Sequence, residues 1–88
     1  MNEPVNIITC RDGDFEVIKI LVEKATITIA KDFRDEIFKL SENGRNKIIL
    51  DLSQTELLDS TFLGALVVSL RKCAANGGSI YLASMQES

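Results

Sequence analysis

Apolar and polar positions follow two different rhythms along this chain. Val5 to Arg11 and Phe15 to Val22 read as strands, and Asp12-Gly13-Asp14 between them is a turn signal. The two segments are predicted to pair as an antiparallel hairpin. In the second segment Ile18, Ile20 and Val22 share one face, with Phe15, Val17 and Leu21 on the other. A strand apolar on both sides predicts cover on both sides. From Ile29 to Leu40 the rhythm becomes helical. Ile29, Phe33, Ile37 and Leu40 recur on one face, while Asp32, Arg34, Asp35, Glu36 and Lys39 cover the rest. Lys24 to Thr28 is the entry loop, Thr26 or Thr28 the N-cap, and Asn43-Gly44 a pair suited to a left-handed C-cap.

The second half repeats the alternation of strand and helix. Lys47 to Leu52 is a short, nearly continuous apolar run, as expected of a central parallel strand. A helix is predicted from about Ser60 to Asn76, closed by Gly77-Gly78. Its expected core stripe is Leu63, Val67, Leu70 and Ala74, with Leu66 beside it. Ser79 to Ala83 forms a fourth strand. The order β-β-α-β-α-β defines an α/β fold: one small domain with a mixed, mostly parallel four-stranded sheet and right-handed crossover helices.

Composition narrows the function classes. The formal net charge is -3 and the ten basic residues are scattered, which argues against a nucleic-acid partner. No stretch reaches the roughly 18 apolar residues of a membrane span, and MNEPVNIITC has neither the basic start nor the apolar core of a secretion signal. A cytoplasmic protein without membrane insertion is predicted. Cys10 and Cys73 are expected to be reduced thiols, with Cys73 buried among apolar helix positions. The chain has no His, which removes the commonest general base and zinc ligand. The glycine pairs lack the lysine and hydroxyl of a phosphate loop. Asp51, Glu56 and Asp59 flank one strand end and are expected to be solvated. No enzyme, no metal site and no bound cofactor is predicted.

The segment from Ile48 to Gly64, IILDLSQTELLDSTFLG, carries the sharpest signal. It places Asp59-Ser60 where a strand–loop unit opens into a helix. Local chemistry allows two readings. Asp59 or Ser60 caps the helix, or Ser60 is a phosphate acceptor whose charge a helix N-terminus would stabilise.

LDLS, the spacer QTELL, Asp59-Ser60-Thr61-Phe62-Leu63-Gly64 and then ALVVSLRKCAANGGSIYLAS resemble the STAS domain family of bacterial anti-sigma factor antagonists and sulfate-transporter cytoplasmic domains. The resemblance implies a phosphorylation-controlled binding switch. Ser60 follows the Asp and so takes the place of the phosphorylated serine, with Thr61 a weaker second acceptor. Asp59, Ser60, Thr61, Phe62, Glu56 and Thr26 are the implied partner-binding residues. The partners would be an anti-sigma factor that is also a serine kinase, and a phosphatase acting on Ser60. ATP and Mg²⁺ would belong to the kinase. The alternative is a STAS docking module of a transporter or larger complex, without a phosphate cycle.

Three features depart from the family pattern. Phe62 stands where close antagonists carry Gly, and either packs under the helix or sits in the docking surface. Glu23-Lys24-Ala25-Thr26 lacks the glycine of the family's turn, with Thr26 near its Asp. The chain ends where the family's next core helix begins, as a domain truncated at its C-terminus would. A sheet apolar on both faces with too few helices predicts a homo-oligomer through the uncovered face.

Overall fold

A computed structural model of the chain describes residues 6–83. Its elements are β1 (Ile7–Asp12), β2 (Phe15–Ile20), β3 (Lys24–Ala25), α1 (Ile27–Glu42), β4 (Lys47–Asp51), β5 (Leu57–Leu58), α2 (Ser60–Ala75) and β6 (Ser79–Ala83). The main sheet runs β1-β2-β4-β6. β1 is antiparallel to β2, joined by a turn whose Gly13 has φ +62°; β2, β4 and β6 are parallel. The mixed, mostly parallel four-stranded sheet matches the pattern read from the sequence. β3 and β5 form a separate parallel pair, two residues each, that no periodicity announces.

Both helices pack on one face of the sheet. Ile18, Ile20, Ile48, Leu50 and Ile80 point toward them, and Phe33 of α1 meets Phe62 of α2 with ring centroids 4.9 Å apart. Burying two aromatic rings against each other contributes about 0.5–1.5 kcal/mol beyond their buried area. α1 buries the stripe read from the sequence: Ile29, Phe33, Ile37 and Leu40.

Two expectations fail. β2 is not covered on both sides: Phe15 and Val17 lie half-buried on the face away from the helices, and Phe15 instead meets Tyr81 across β4, edge to face at 5.9 Å. The second concerns α2, whose core stripe is Phe62, Leu66, Ser69 and Cys73. Leu63, Val67 and Leu70 are exposed at 43%, 47% and 39%, and Ala74 is exposed as well. α2 carries apolar residues on most of its circumference, so two stripes satisfy the same spacing. The polar Ser69 and the small Cys73 disguise the one that faces inward. The Ser69 hydroxyl is buried without a hydrogen-bond partner among the described residues.

The C-terminal ends of the helices are tied to the start of β4. The Ser41 hydroxyl donates to Asn46 Oδ1 at 2.8 Å and accepts from Asn76 Nδ2 at 2.7 Å, while Asn46 Nδ2 donates to the Asn76 carbonyl at 2.9 Å. Gly78 runs so close to Asn46 that a Cβ there would enter the Asn46 backbone. Nearby, the buried Glu16 carboxylate accepts from Arg45 at 2.9 Å and Arg11 at 3.2 Å.

Candidate functional site at two helix N-termini

The opposite end of the domain is assembled by β3 and β5. β4 leaves the sheet at Asp51, whose carboxylate accepts the Ser53 N–H at 2.9 Å and closes a tight turn. That backbone hydrogen bond, with one from the Ser53 side chain, holds the Asp51 carboxyl below the ordinary carboxylate range. Thr55 is fully buried and donates its hydroxyl to the Val22 carbonyl at 2.9 Å. Glu56 and Leu57 donate their N–H groups to the Glu23 carbonyl at 2.8 and 3.0 Å. The loop after β4 is thereby pinned to the loop before α1, and the Asp59 N–H reaches the Ala25 carbonyl at 3.0 Å.

This pinning brings the two helix N-termini together on Asp59. Its Oδ1 accepts the Phe62 N–H at 2.8 Å, which makes it the N-cap of α2. Its Oδ2 accepts the Ile27 N–H, the first of α1, at 3.2 Å. One carboxylate therefore serves two helices, and its charge lies where both dipoles favour an anion. Thr26, half-buried, caps α1 by accepting the Thr28 N–H at 3.3 Å.

Ser60 is the first residue of α2 and is exposed, as is Thr61. Their N–H groups occupy the first two helical positions, which have no partner within a helix. Asp59 engages backbone N–H groups, and no hydrogen bond joins it to the Ser60 hydroxyl among the described residues. Glu56 is exposed on the same loop. Asp59, Ser60, Thr61, Glu56 and Thr26 thus converge on one end of the fold. Phe62 does not join them. It is fully buried against Phe33, so the expectation that its side chain belongs to the partner-binding surface is corrected. An aromatic ring there fills the space between the two helices.

Sequence reasoning missed two residues that make this arrangement. Thr55 locks the loop from inside, where its polar type and loop position suggest exposure. Ile27 supplies an N–H that only the β3–β5 pairing brings near Asp59. Thr61 also borders a shallow depression between the helices, with Ala30, Lys31, Arg34, Gly64 and Val68 on its walls. Lys31 donates to Asp35 at 2.9 Å, which raises the ammonium pKa and lowers that of the carboxyl. Among the described residues no helix is long and apolar enough to cross a membrane, and no group of three acidic, His or Cys side chains could hold a metal.

Fold and site together define a small α/β domain whose distinctive feature is a pair of helix N-termini bridged by one carboxylate. The STAS domain family model matches residues 16–88, and the chain belongs to that family. A Thermotoga maritima protein provisionally described as an anti-sigma factor antagonist is 31% identical, with a TM-score of 0.75 over 92% of this chain and 69% of its own. The anti-sigma factor antagonist SpoIIAA in its unphosphorylated form superposes at a TM-score of 0.77 with 18% identity, over 92% of this chain and 74% of that one. Its phosphorylated form, from Bacillus, superposes at 0.71. The murine anion transporter Slc26a9 shares the fold at a TM-score of 0.67 and 16% identity, over 84% of this chain and 12% of the transporter.

Proposed function

We propose that the chain is an anti-sigma factor antagonist switched by phosphorylation of Ser60. The observation that carries this reading is the exposed Ser60 hydroxyl at the first position of α2, beside N–H groups that no helical carbonyl can take. Unmodified, the surface formed by Thr26, Glu56, Asp59, Ser60 and Thr61 binds an anti-sigma factor that is also a serine kinase, and a sigma factor is released. The kinase transfers the γ-phosphoryl of ATP to the Ser60 oxygen, ADP leaves, and the hydroxyl proton goes to a base on the kinase. Phosphorylation adds about -1.5 to -2 charges beside Asp59 and Glu56. An acidic partner surface is then repelled, and the complex dissociates. A phosphatase hydrolyses the ester and restores the hydroxyl. The existence of SpoIIAA in both forms on the same fold supports this cycle.

The alternative, a docking module without a phosphate cycle, draws on the occurrence of the same fold within Slc26a9. Affinity capture from source-cell lysate separates the two. The wild-type chain and Ser60→Ala should retain a kinase-like anti-sigma factor, Ser60→Asp should lose it, and mass spectrometry of the chain isolated from cells should find phosphate on Ser60. The same partners on all three baits, with no phosphate at Ser60, would favour the docking module.

A further inference from the structure

We propose that the end of the domain remote from Ser60 holds a site for a small phosphate-bearing anion, with Arg11, Arg45 and Lys47 as its ligands. The site shares no residue with the Ser60 surface, so it stands whether or not Ser60 is phosphorylated. Three connections wall a polar cleft of about 520 Å³ there: the β1–β2 turn, the α1–β4 loop and the tip of the α2–β6 loop. Small-molecule sites commonly enclose about 300–1,000 Å³. All three walls are internal to the chain. The first and last described residues, Asn6 and Ala83, lie at the other end of the sheet, beside Leu21 and Leu52.

The residue that points to a ligand is Glu16. It stands on the core face of β2, in the row of Ile18 and Ile20, and is 4% exposed. An apolar side chain would fill that row without the cost of desolvating a charge. Glu16 instead draws two guanidiniums onto one oxygen: Arg45 Nη1 at 2.9 Å and Arg11 Nε at 3.2 Å meet at its Oε1. A guanidinium has five N–H donors, and neither arginine makes another side-chain hydrogen bond among the described residues. Both remain about half-exposed on the cleft wall. Two like charges are thus held side by side with donors to spare, and a planar fork matches phosphate oxygens in pairs. Lys47 adds a third cation to the lining. Three cations therefore meet two carboxylates, Glu16 and Asp14, in a chain whose formal net charge is -3.

Both helices end at this cleft, and open C-terminal carbonyls would repel an anion. Three of the last four in each helix are already taken. Those of Lys39, Leu40 and Ser41 accept N–H groups from Asn43, Gly44 and Arg45, and those of Lys72, Cys73 and Ala74 accept from Asn76, Gly77 and Gly78. The lining has no aromatic and no large apolar side chain. Recognition there rests on charge and not on stacking or apolar contact. The ligand class is accordingly a phosphate ester or pyrophosphate of a compact polar molecule.

Titration of the ¹⁵N-labelled chain with sodium pyrophosphate, followed by amide chemical shifts, tests this. Saturable binding should move the amides of Gly13 and of Gly44 to Lys47. Arg45→Gln should weaken it roughly tenfold, as loss of a charge-assisted donor group does. That variant leaves Glu16 with one partner. Should it fail to fold, Lys47→Gln serves instead: Lys47 is exposed, takes no part in the Glu16 ion pairs, and its loss should weaken binding several-fold. Lys24→Gln, at the other end of the domain, should leave the affinity unchanged. Shifts confined to Ser60 and Thr61 would put the anion at the α2 N-terminus and overturn the proposal. Absence of saturation would overturn it, as would equal weakening by Lys24→Gln and Lys47→Gln.

Discussion

Asp59→Ala isolates the contribution of the shared cap. The substitution removes the N-cap of α2, worth about 1 kcal/mol. It also removes the acceptor for the Ile27 N–H, 3.2 Å away and partly open to water, worth about 0.5–1 kcal/mol at that exposure. Loss of a carboxylate near two helix N-termini adds to this, with some overlap, so the total is about 2 kcal/mol. For a domain of this size that corresponds to a melting temperature lower by roughly 10 °C. Urea denaturation followed by circular dichroism at 222 nm measures it. Two companion variants give the reasoning its specificity. Asp59→Asn keeps a side-chain oxygen and should lose about 0.5 kcal/mol, mostly charge–dipole attraction. Ser60→Ala should lie within about 0.5 kcal/mol of wild type, because Asp59 and not Ser60 is the cap. An Asp59→Ala variant as stable as wild type would refute the double-cap account. So would a Ser60→Ala variant as unstable as Asp59→Ala.

Other variants probe the remaining structure. Gly78→Ala should destabilise by about 1–3 kcal/mol, because its Cβ collides with the Asn46 backbone, and chemical denaturation would show it. Ser69→Ala should raise stability by about 1 kcal/mol in the same assay, since it removes a buried hydroxyl without a partner. The Asp51 carboxyl has a lowered pKa in the folded chain. Its contribution is therefore present above the unfolded value, near 4, and is lost as pH falls through the lower folded value. Asp51→Asn should flatten that part of the acid limb of a stability–pH curve, and an unchanged limb would contradict the Ser53 turn as its cause. Thiol titration with Ellman's reagent should count one reactive cysteine in the native protein, the exposed Cys10, and two in denaturant, since burial shields Cys73 and pushes its thiol pKa up.

The order of the longer elements was legible because apolar runs and helical spacing are separated by turn signals such as Asp12-Gly13-Asp14, Asn43-Gly44 and Gly77-Gly78. Ile29, Phe33, Ile37 and Leu40 have charged residues around them, so one face alone could be buried. The same logic fails for α2, where Leu63-Val67-Leu70 and Phe62-Leu66-Ser69 are both spaced for burial and only the position of α1 and the sheet separates them. At the site, the Asp59-Ser60 junction was visible as a cap or an acceptor. Its bond to Ile27 was not, because that contact spans 32 positions and depends on two-residue strands too short to leave a period. Phe62 likewise left both orientations open until the depth of Phe33 beneath it was known.

The two helices are fastened at both ends. At one end a single carboxylate holds their first turns; at the other, Ser41, Asn46 and Asn76 join their last turns to β4. Fastening a pair of rods at both ends opposes splaying and sliding, so the surface proposed to bind a partner is held in one arrangement by the fold itself. The entropy of arranging Thr26, Asp59 and Ser60 is lost during folding, and little remains to be lost on association. Free and bound forms should therefore differ little in backbone at this end. A phosphate on Ser60 would then act as a change of charge on an unchanging shape, so that recognition is gated by electrostatics and not by movement of the chain.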